Sequence, residues 1–334
     1  MYMKRLKYIF KKLKTLNYKN MIYIADKVSK KTGKFRFFVI LDIINCALIY
    51  GSGYMDYFEF EFYLLNKRER STYITSNINN NIIKKYNNPK YNYIFDDKSV
   101  FNNTFKEFLK REYINLKNLK YEDFVNFVKC KDKIVVKPLN ECGGKGVQII
   151  SIDKKSDLEK IFNSLIRNKQ FLVEDYINQC KQMSLLYNKS VNTLRILTFY
   201  KNKKVYILKS ILKIGNGGIV DNFSSGGMYT FVDENGKVYV PAIDEDGNVF
   251  EVHPSSKKKI VGFEIPKYKE VIDFVKKLGM VVPEVRYVGW DIAITDNGPV
   301  VVEGNNFSGI FQVKPSISGI KTGDLPNYRK YMNI

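Results

Sequence analysis

The chain has 334 residues, 45% of them hydrophobic, and carries 55 Lys and Arg against 34 Asp and Glu, a formal charge of +21. That length and apolar content support a large core in two or three lobes, and the charge attracts polyanions: nucleotides, nucleic acid, acidic glycans or an anionic membrane surface. The single histidine, His253 in the loop-like "EVHPSS", leaves no basis for a His-type zinc site or a Ser-His-Asp triad, so chemistry must run on carboxylates, lysines and arginine.

Residues 1 to 36 hold twelve Lys and Arg and one acid, Asp26, a local charge of +11. "MYMKRLKYIFKKLK" places Met3, Leu6, Ile9, Phe10 and Leu13 at helical spacing with lysines opposite, a basic amphipathic helix that could pack on the protein's own core or dock on an anionic membrane. The run "FFVILDIINCALIY", 37 to 50, is too short and, with Asp42 and Asn45, too polar to span a bilayer, and reads as a buried helix. Four cysteines without CxxC spacing, and an N-terminus unlike a cleaved signal peptide, fit a reducing cytoplasm, with peripheral attachment to the inner face of the plasma membrane as an option. The Asn-rich segment 76 to 95 reads as a linker, placing a domain boundary near 95.

Beyond it, Asp96 and Asp97 are candidate caps for a helix carrying Phe101, Phe105, Phe108 and Leu109, with Lys98 in its first turn. "VVKPLNECGGKGVQII", 135 to 150, sets Gly143, Gly144 and Gly146 between two β-rich runs, which reads as strand, glycine loop, strand. Alone, those glycines could equally close a surface hairpin. "SDLEKIFNSLI" follows, with Ser156 as N-cap, then a strand at 171 to 175, a hairpin of strands at 193 to 200 and 204 to 212, and the glycine-rich "GNGGIVDNFSSGG". One later helix, "PKYKEVIDFVKKLG", has Pro266 in its first turn and Gly279 as its stop. Antiparallel hairpins with occasional helices predict an α+β fold and not a doubly wound parallel sheet.

The hairpin around Asp296-Asn297-Gly298 carries the most chemistry. A three-residue loop there sets Asp291 across from Glu303, and Asn305, two residues further, points to the same face. Two carboxylates and an amide oxygen suit Mg²⁺ or Mn²⁺; the alternative is two acids on the solvent face of an edge hairpin, where like charges facing each other cost stability unless a cation lies between. Lys137, Arg195 and Lys209 lie on strands and, together with the loop's backbone N–H groups, could neutralise a triphosphate.

The order of these elements, Lys98, "VVKP", a glycine-rich hairpin loop, "FLVEDYI", "TLRI", "GWD" and "EGNN", resembles the ATP-grasp superfamily. "GYMDYFEFEFYLLNKRER" and "IFQVKPSISGI" resemble more narrowly its sugar-transfer-associated members. The resemblance implies an ATP-grasp fold: a basic N-terminal helical region at 1–95, and two α+β subdomains clasping ATP, 96–172 with the glycine-rich phosphate loop and 173–334 with the metal site. It implies that Lys98 and Lys137 bind phosphate oxygens, that the loop Cys142, Gly143, Gly144, Lys145, Gly146 and Val147 closes over the β- and γ-phosphates, and that Glu174, Asp175, Tyr176 and Ile177 read adenine beside Leu172. Cys142 is a departure, since another small residue is usual there. Asp291, Glu303 and Asn305 match metal ligands, Arg195 matches an arginine facing the transferred phosphoryl or acyl group, and Asn222 lies in a matching substrate-side loop. The implied reaction is ADP-forming carboxylate–amine ligation through an acyl phosphate, on a small molecule or glycan in polysaccharide biosynthesis. The alternatives are an ATP-dependent kinase of a sugar or peptide and a non-catalytic module binding membrane or polyanion; no specific nucleic-acid partner is expected.

Overall fold

The computed structural model describes residues 17–141 and 143–334, so the expected helix at 1 to 14 and Cys142 lie outside the described residues. The chain forms two compact units, one from the residues up to Lys84 together with Ile310–Ile334, the other from Lys85–Gly309.

The first unit is helical. Tyr18–Thr32 buries Met21, Ile24, Ala25 and Val28, one face of a helix whose start is capped by Asn17 Oδ1 accepting from Asn20 N at 3.1 Å. Gly33, at φ +71°, turns the chain into a second helix, Arg36–Tyr50. This helix is not buried as its apolar sequence predicts: Val39, Ile43 and Cys46 enter the core, while most of its other large apolar side chains face outward. Aromatic residues Tyr57, Phe60, Phe62, Tyr63 and Tyr73 fill the core beneath. Arg70 clamps Asp42 through two bonds of 2.7 Å, and Tyr57 donates to the same carboxylate at 2.8 Å, so burial of the charge is compensated. The C-terminal segment joins this unit through Gln312, whose side-chain amide both accepts from Ile74 N and donates to Ile74 O at 2.9 Å. The segment expected as a linker is instead ordered: a helix, Ser76–Tyr86, buries Asn79, Ile82 and Ile83, and short helical turns follow at Pro89–Tyr91 and Tyr93–Asp96. Isoleucines at helical spacing override the weak helix propensity of the asparagines.

The second unit contains two antiparallel sheets. The smaller has four strands, β1 (Tyr113–Asn115), β2 (Lys133–Lys137), β3 (Gln148–Ser151) and β4 (Leu172–Asp175), in the order β1-β4-β2-β3. β4 pairs on both sides within this sheet, so a division at 172/173 cuts it between its first two residues. Helices Tyr121–Val128 and Leu158–Arg167 cover one face over Phe124, Val128, Ile134, Val136, Leu165 and Val173. The second of these helices is capped by Asp157, whose Oδ1 accepts from Lys160 N at 2.9 Å, and not by Ser156, whose hydroxyl donates to Asp153.

The larger sheet has seven strands: β5 (Thr193–Lys201), β6 (Lys204–Ile214), β7 (Met228–Val232), β8 (Ala242–Asp244), β9 (Val249–Phe250), β10 (Tyr287–Thr295) and β11 (Gly298–Asn305), in the order β11-β10-β5-β6-β7-β8-β9. Helix Tyr268–Leu278 packs on it through Val271, Val275 and Leu278, and Pro266 precedes the helix, whose N-cap is Lys267. Trp290 sits among Phe95, Phe105 and the sheet's apolar face, its indole N–H donating to Thr198 Oγ1 at 2.9 Å.

Candidate functional site

Between the two sheets lies a cavity of about 400 Å³, walled on one side by β2, β4 and the glycine loop and on the other by β5, β6, β10 and β11. Lys98 reaches it from the first turn of a helix, Lys98–Thr104, whose N-cap is Asp97, with Oδ1 accepting from Ser99 N at 2.8 Å. Its ammonium donates to Glu141 O at the entrance to the glycine loop.

Gly144 and Gly146 are in the left-handed region at φ +76° and +69°, and at Gly146 a Cβ would come within 2.7 Å of Pro138 Cγ. Only glycine holds that backbone without displacing the proline. Gly143, Gly144 and Val147 line the cavity, while Lys145 is exposed. Asn222, expected on the substrate side, lines the cavity and donates from Nδ2 to Gly143 O at 3.0 Å, and Ser225 Oγ donates to the same carbonyl at 3.3 Å. The two glycine-rich loops are thereby joined over the cavity.

Glu174 lies on β4 beneath this loop, only 2% exposed. Arg111 Nη2 donates to it at 3.1 Å, Asn102 Nδ2 at 2.6 Å, and Lys137 Nζ forms an ion pair with its other oxygen. Burial by itself raises a carboxyl pKa, but the Arg111 and Lys137 charges and these bonds hold Glu174 down to about 2. Arg111 also donates to Val301 O on β11 at 2.6 Å, so one guanidinium touches both sheets. Asp175, Tyr176 and Ile177 continue along the wall; Lys131 pairs with Asp175 at 2.6 Å, and Lys133 lies over the Tyr176 ring, 5.6 Å from its centroid.

The opposite wall holds the expected ligand set. Asp291 faces Glu303 on one side and Arg195 on the other in adjacent strands. The pairing arises differently from the three-residue loop expected. Thr295 pairs with Gly298 across a two-residue turn, Asp296-Asn297, and an extra residue, Val302, bulges from β11 and shifts the register by one. The bulge restores the same partners for Asp291 that a longer loop gives.

Asp291 is almost wholly buried, and Arg195 grips both its oxygens, one of them at 2.7 Å. Lys213 adds a third cationic contact at 3.2 Å and pairs with Asp221 at 3.4 Å. Arg195 and Lys213 offset the Asp291 charge, and Arg195 Nη2 also lies 3.8 Å from Glu303 Oε1. Burial opposes ionisation of Asp291, yet Arg195 and Lys213 hold it well below the usual carboxylate range; the same pairing raises Arg195 and Lys213 against the effect of their burial. Glu303 is pushed up instead, by desolvation and by the Asp291 charge. Asn305 Nδ2 donates to Glu303 Oε1 at 3.3 Å.

Lys213 and Asp221 were not singled out from sequence. Lys209, which was, shares a strand face with Lys213 but lies four residues away, its ammonium over Phe231 at 4.5 Å, and it does not line the cavity. The signal for Lys213 was its position at the end of its strand, just ahead of the glycine-rich segment. Among the described residues no three His, Cys, Asp or Glu side chains form a metal-holding group. Asp291, Glu303 and Asn305 are nevertheless hard oxygen donors on one face, a set that fits Mg²⁺ or Mn²⁺ if a bound ligand supplies the remaining oxygens and Asp291 is shared with Arg195.

The profile of the sugar-transfer associated ATP-grasp family matches residues 77–317. Among solved structures, D-alanyl-alanine synthetase A from Vibrio cholerae O1 biovar eltor aligns at 12% identity over 72% of this chain and 61% of that one, with a TM-score of 0.42. D-alanine–D-alanine ligase from Bacillus anthracis aligns at 13% identity over 75% and 72% of the two chains, also with a TM-score of 0.42. The chain thus spans less than two thirds of the Vibrio cholerae protein. No curated protein sequence matches it.

Proposed function

Because the chain belongs to the sugar-transfer associated ATP-grasp family, we propose that it is an ATP-dependent ligase that joins a carboxylate to an amine through an acyl phosphate, releasing ADP and phosphate. Its substrate would be a cell-surface polysaccharide or a sugar precursor carrying a carboxyl group. One observation carries this reading: a cavity in which the glycine loop, Lys98 and Lys137 face Lys213, Asp291, Glu303 and Asn305, with Arg195 bound to Asp291. Such an arrangement can cradle a triphosphate on one side and stabilise charge on a transferring phosphoryl group from the other.

In this reading the loop's backbone N–H groups and the ammonium groups of Lys98 and Lys137 bind phosphate oxygens, while Leu172 and Ile177 flank the adenine read by main-chain groups of Glu174 to Ile177. Arg195, oriented by Asp291, faces the phosphoryl group as it moves to the substrate carboxylate. A divalent cation held by Asp291, Glu303 and Asn305 would supply Lewis-acid neutralisation of the phosphate oxygens. The substrate amine then attacks the acyl carbon and phosphate leaves. The Asn222–Gly143 contact holds the loop over the cavity and supports exclusion of water, which would otherwise hydrolyse an acyl phosphate.

Hydroxylamine tests the reaction. With ATP, Mg²⁺ and a candidate uronic or amino acid, a ligase yields ADP, phosphate and a hydroxamate, because hydroxylamine traps an activated carboxyl and leaves a phosphate ester intact. Lys137→Ala should lower that yield by about a hundredfold, the typical loss for one preorganised charge contact. AMP with pyrophosphate, or a hydroxylamine-stable phosphorylated sugar, would overturn the reading, the second in favour of a kinase.

A further inference from the structure

The first unit carries an apolar face that the proposed chemistry does not use. On the helix Arg36–Tyr50, Phe37, Phe38, Leu41, Ile44, Leu48 and Ile49 are 39% to 65% exposed, and Phe35, just ahead of it, is 78% exposed. Positions 37, 41, 44 and 48 recur at the helical period, so these side chains form one stripe along two or more turns. Val39, Ile43 and Cys46 point the other way, into the core. This is an amphipathic helix with its wet side apolar, the reverse of an ordinary surface helix.

Charge decides what can cover it. Immediately ahead of the stripe in sequence, residues 17 to 36 hold Lys19, Lys27, Lys30, Lys31, Lys34 and Arg36 against Asp26; Arg36 pairs with Asp26 at 3.2 Å and Lys31 with Glu61 at 2.9 Å, which leaves Lys19, Lys27, Lys30 and Lys34 in excess. A second copy docked face to face would bring two such segments together, and like charges across an interface oppose association. An anionic bilayer satisfies both features, apolar side chains entering the acyl boundary and lysines meeting lipid phosphates. No described helix is long and apolar enough to cross a membrane, so the contact is with the surface.

We infer that the exposed face of helix Arg36–Tyr50 docks the protein in the plane of an anionic lipid membrane. The site is independent of the ligase reading, since none of these residues lines the cavity.

The test is flotation of the full chain with vesicles of phosphatidylcholine mixed with phosphatidylglycerol, against phosphatidylcholine alone. The wild-type protein should float with the anionic vesicles, less so as salt rises. The triple variant Phe37→Ser, Leu41→Ser, Leu48→Ser removes three exposed apolar anchors and should bind roughly a hundredfold more weakly while melting at the same temperature, since none of the three is in the core. Unchanged binding by that variant would overturn the inference, because binding would then be polycation attraction alone. A wild-type dimer that the triple variant converts to monomer, without vesicle binding by either, would overturn it in favour of self-association.

Discussion

The two walls of the cavity each bury a carboxylate between two cations, yet their charge balance is opposite. On the smaller sheet Glu174 answers Arg111 and Lys137, leaving one net positive charge among these three groups, with Lys98, Asp96, Glu141 and the Lys131-paired Asp175 around them. On the larger sheet Arg195 and Lys213 stand against Asp291, Asp221 and Glu303, leaving one net negative charge among these groups. In the proposed reaction the first wall would take the polyphosphate and the second the cation. Glu174 is therefore best understood as a scaffold that fixes Lys137, and Asp291 as part of a centre with donor capacity to spare at Glu303 and Asn305.

The largest effects should come from disturbing the negative wall. Glu303→Ala should lower ATP turnover by a hundredfold to a thousandfold, roughly, while changing unfolding stability by less than about 1 kcal/mol, because its carboxylate is not the one gripped by Arg195. Asp291→Ala should lose turnover as well, and about 3–5 kcal/mol of stability, because it strands a buried guanidinium. Chemical denaturation beside a steady-state assay separates the two; equal stability loss in both would erase the distinction between scaffold and donor.

Lys213→Met should follow, with turnover down by about a hundredfold, against less than about threefold for Lys209→Met, since only the first ammonium reaches the cavity. Similar kinetics for the pair would remove Lys213 from the site.

Glu174→Gln tests the positive wall, chiefly through stability, at a cost of about 3–5 kcal/mol from the two cations left without a counter-charge. Its pH dependence has a definite sign. The folded-state pKa lies near 2, below the ordinary 4.5, so the carboxylate's contribution is complete above pH 4.5 and fades as pH falls toward 2. The gap in denaturation midpoint between wild type and variant should shrink across that window; a constant gap would mean that Glu174 is not the group responsible.

Much of this site was readable because hairpin pairing and strand parity are short-range rules. Glu303 and Asn305 share a face by parity alone, and Asp291 meets them because a bulge at Val302 makes up for a turn one residue shorter than the one expected. Lys98 was legible from its cap. Lys213 was not, because parity gives a strand residue its face and not its position along the sheet, and Lys209 satisfies parity equally well. Arg111 carried no signal: its partners are 63 and 190 residues away, set by the packing of two sheets. The outward stripe on Arg36–Tyr50 was invisible for a related reason, as an apolar run reads the same whether its face meets core or solvent.

Arg111 has a mechanical consequence. Its buried guanidinium ties Glu174 on one sheet to the backbone of Val301 on the other, next to the bulge, whereas the far side of the cavity is bridged by Asn222 and Ser225, exposed side chains bonded to Gly143 O. Parting the sheets at Arg111 would break a buried ion pair, a cost of several kcal/mol, while undoing the glycine-loop bonds exchanges them for water at about 1 kcal/mol each. The cleft is thus held by a buried ion pair at its base and by solvent-exchangeable bonds at its rim, so any opening should begin at the glycine loop.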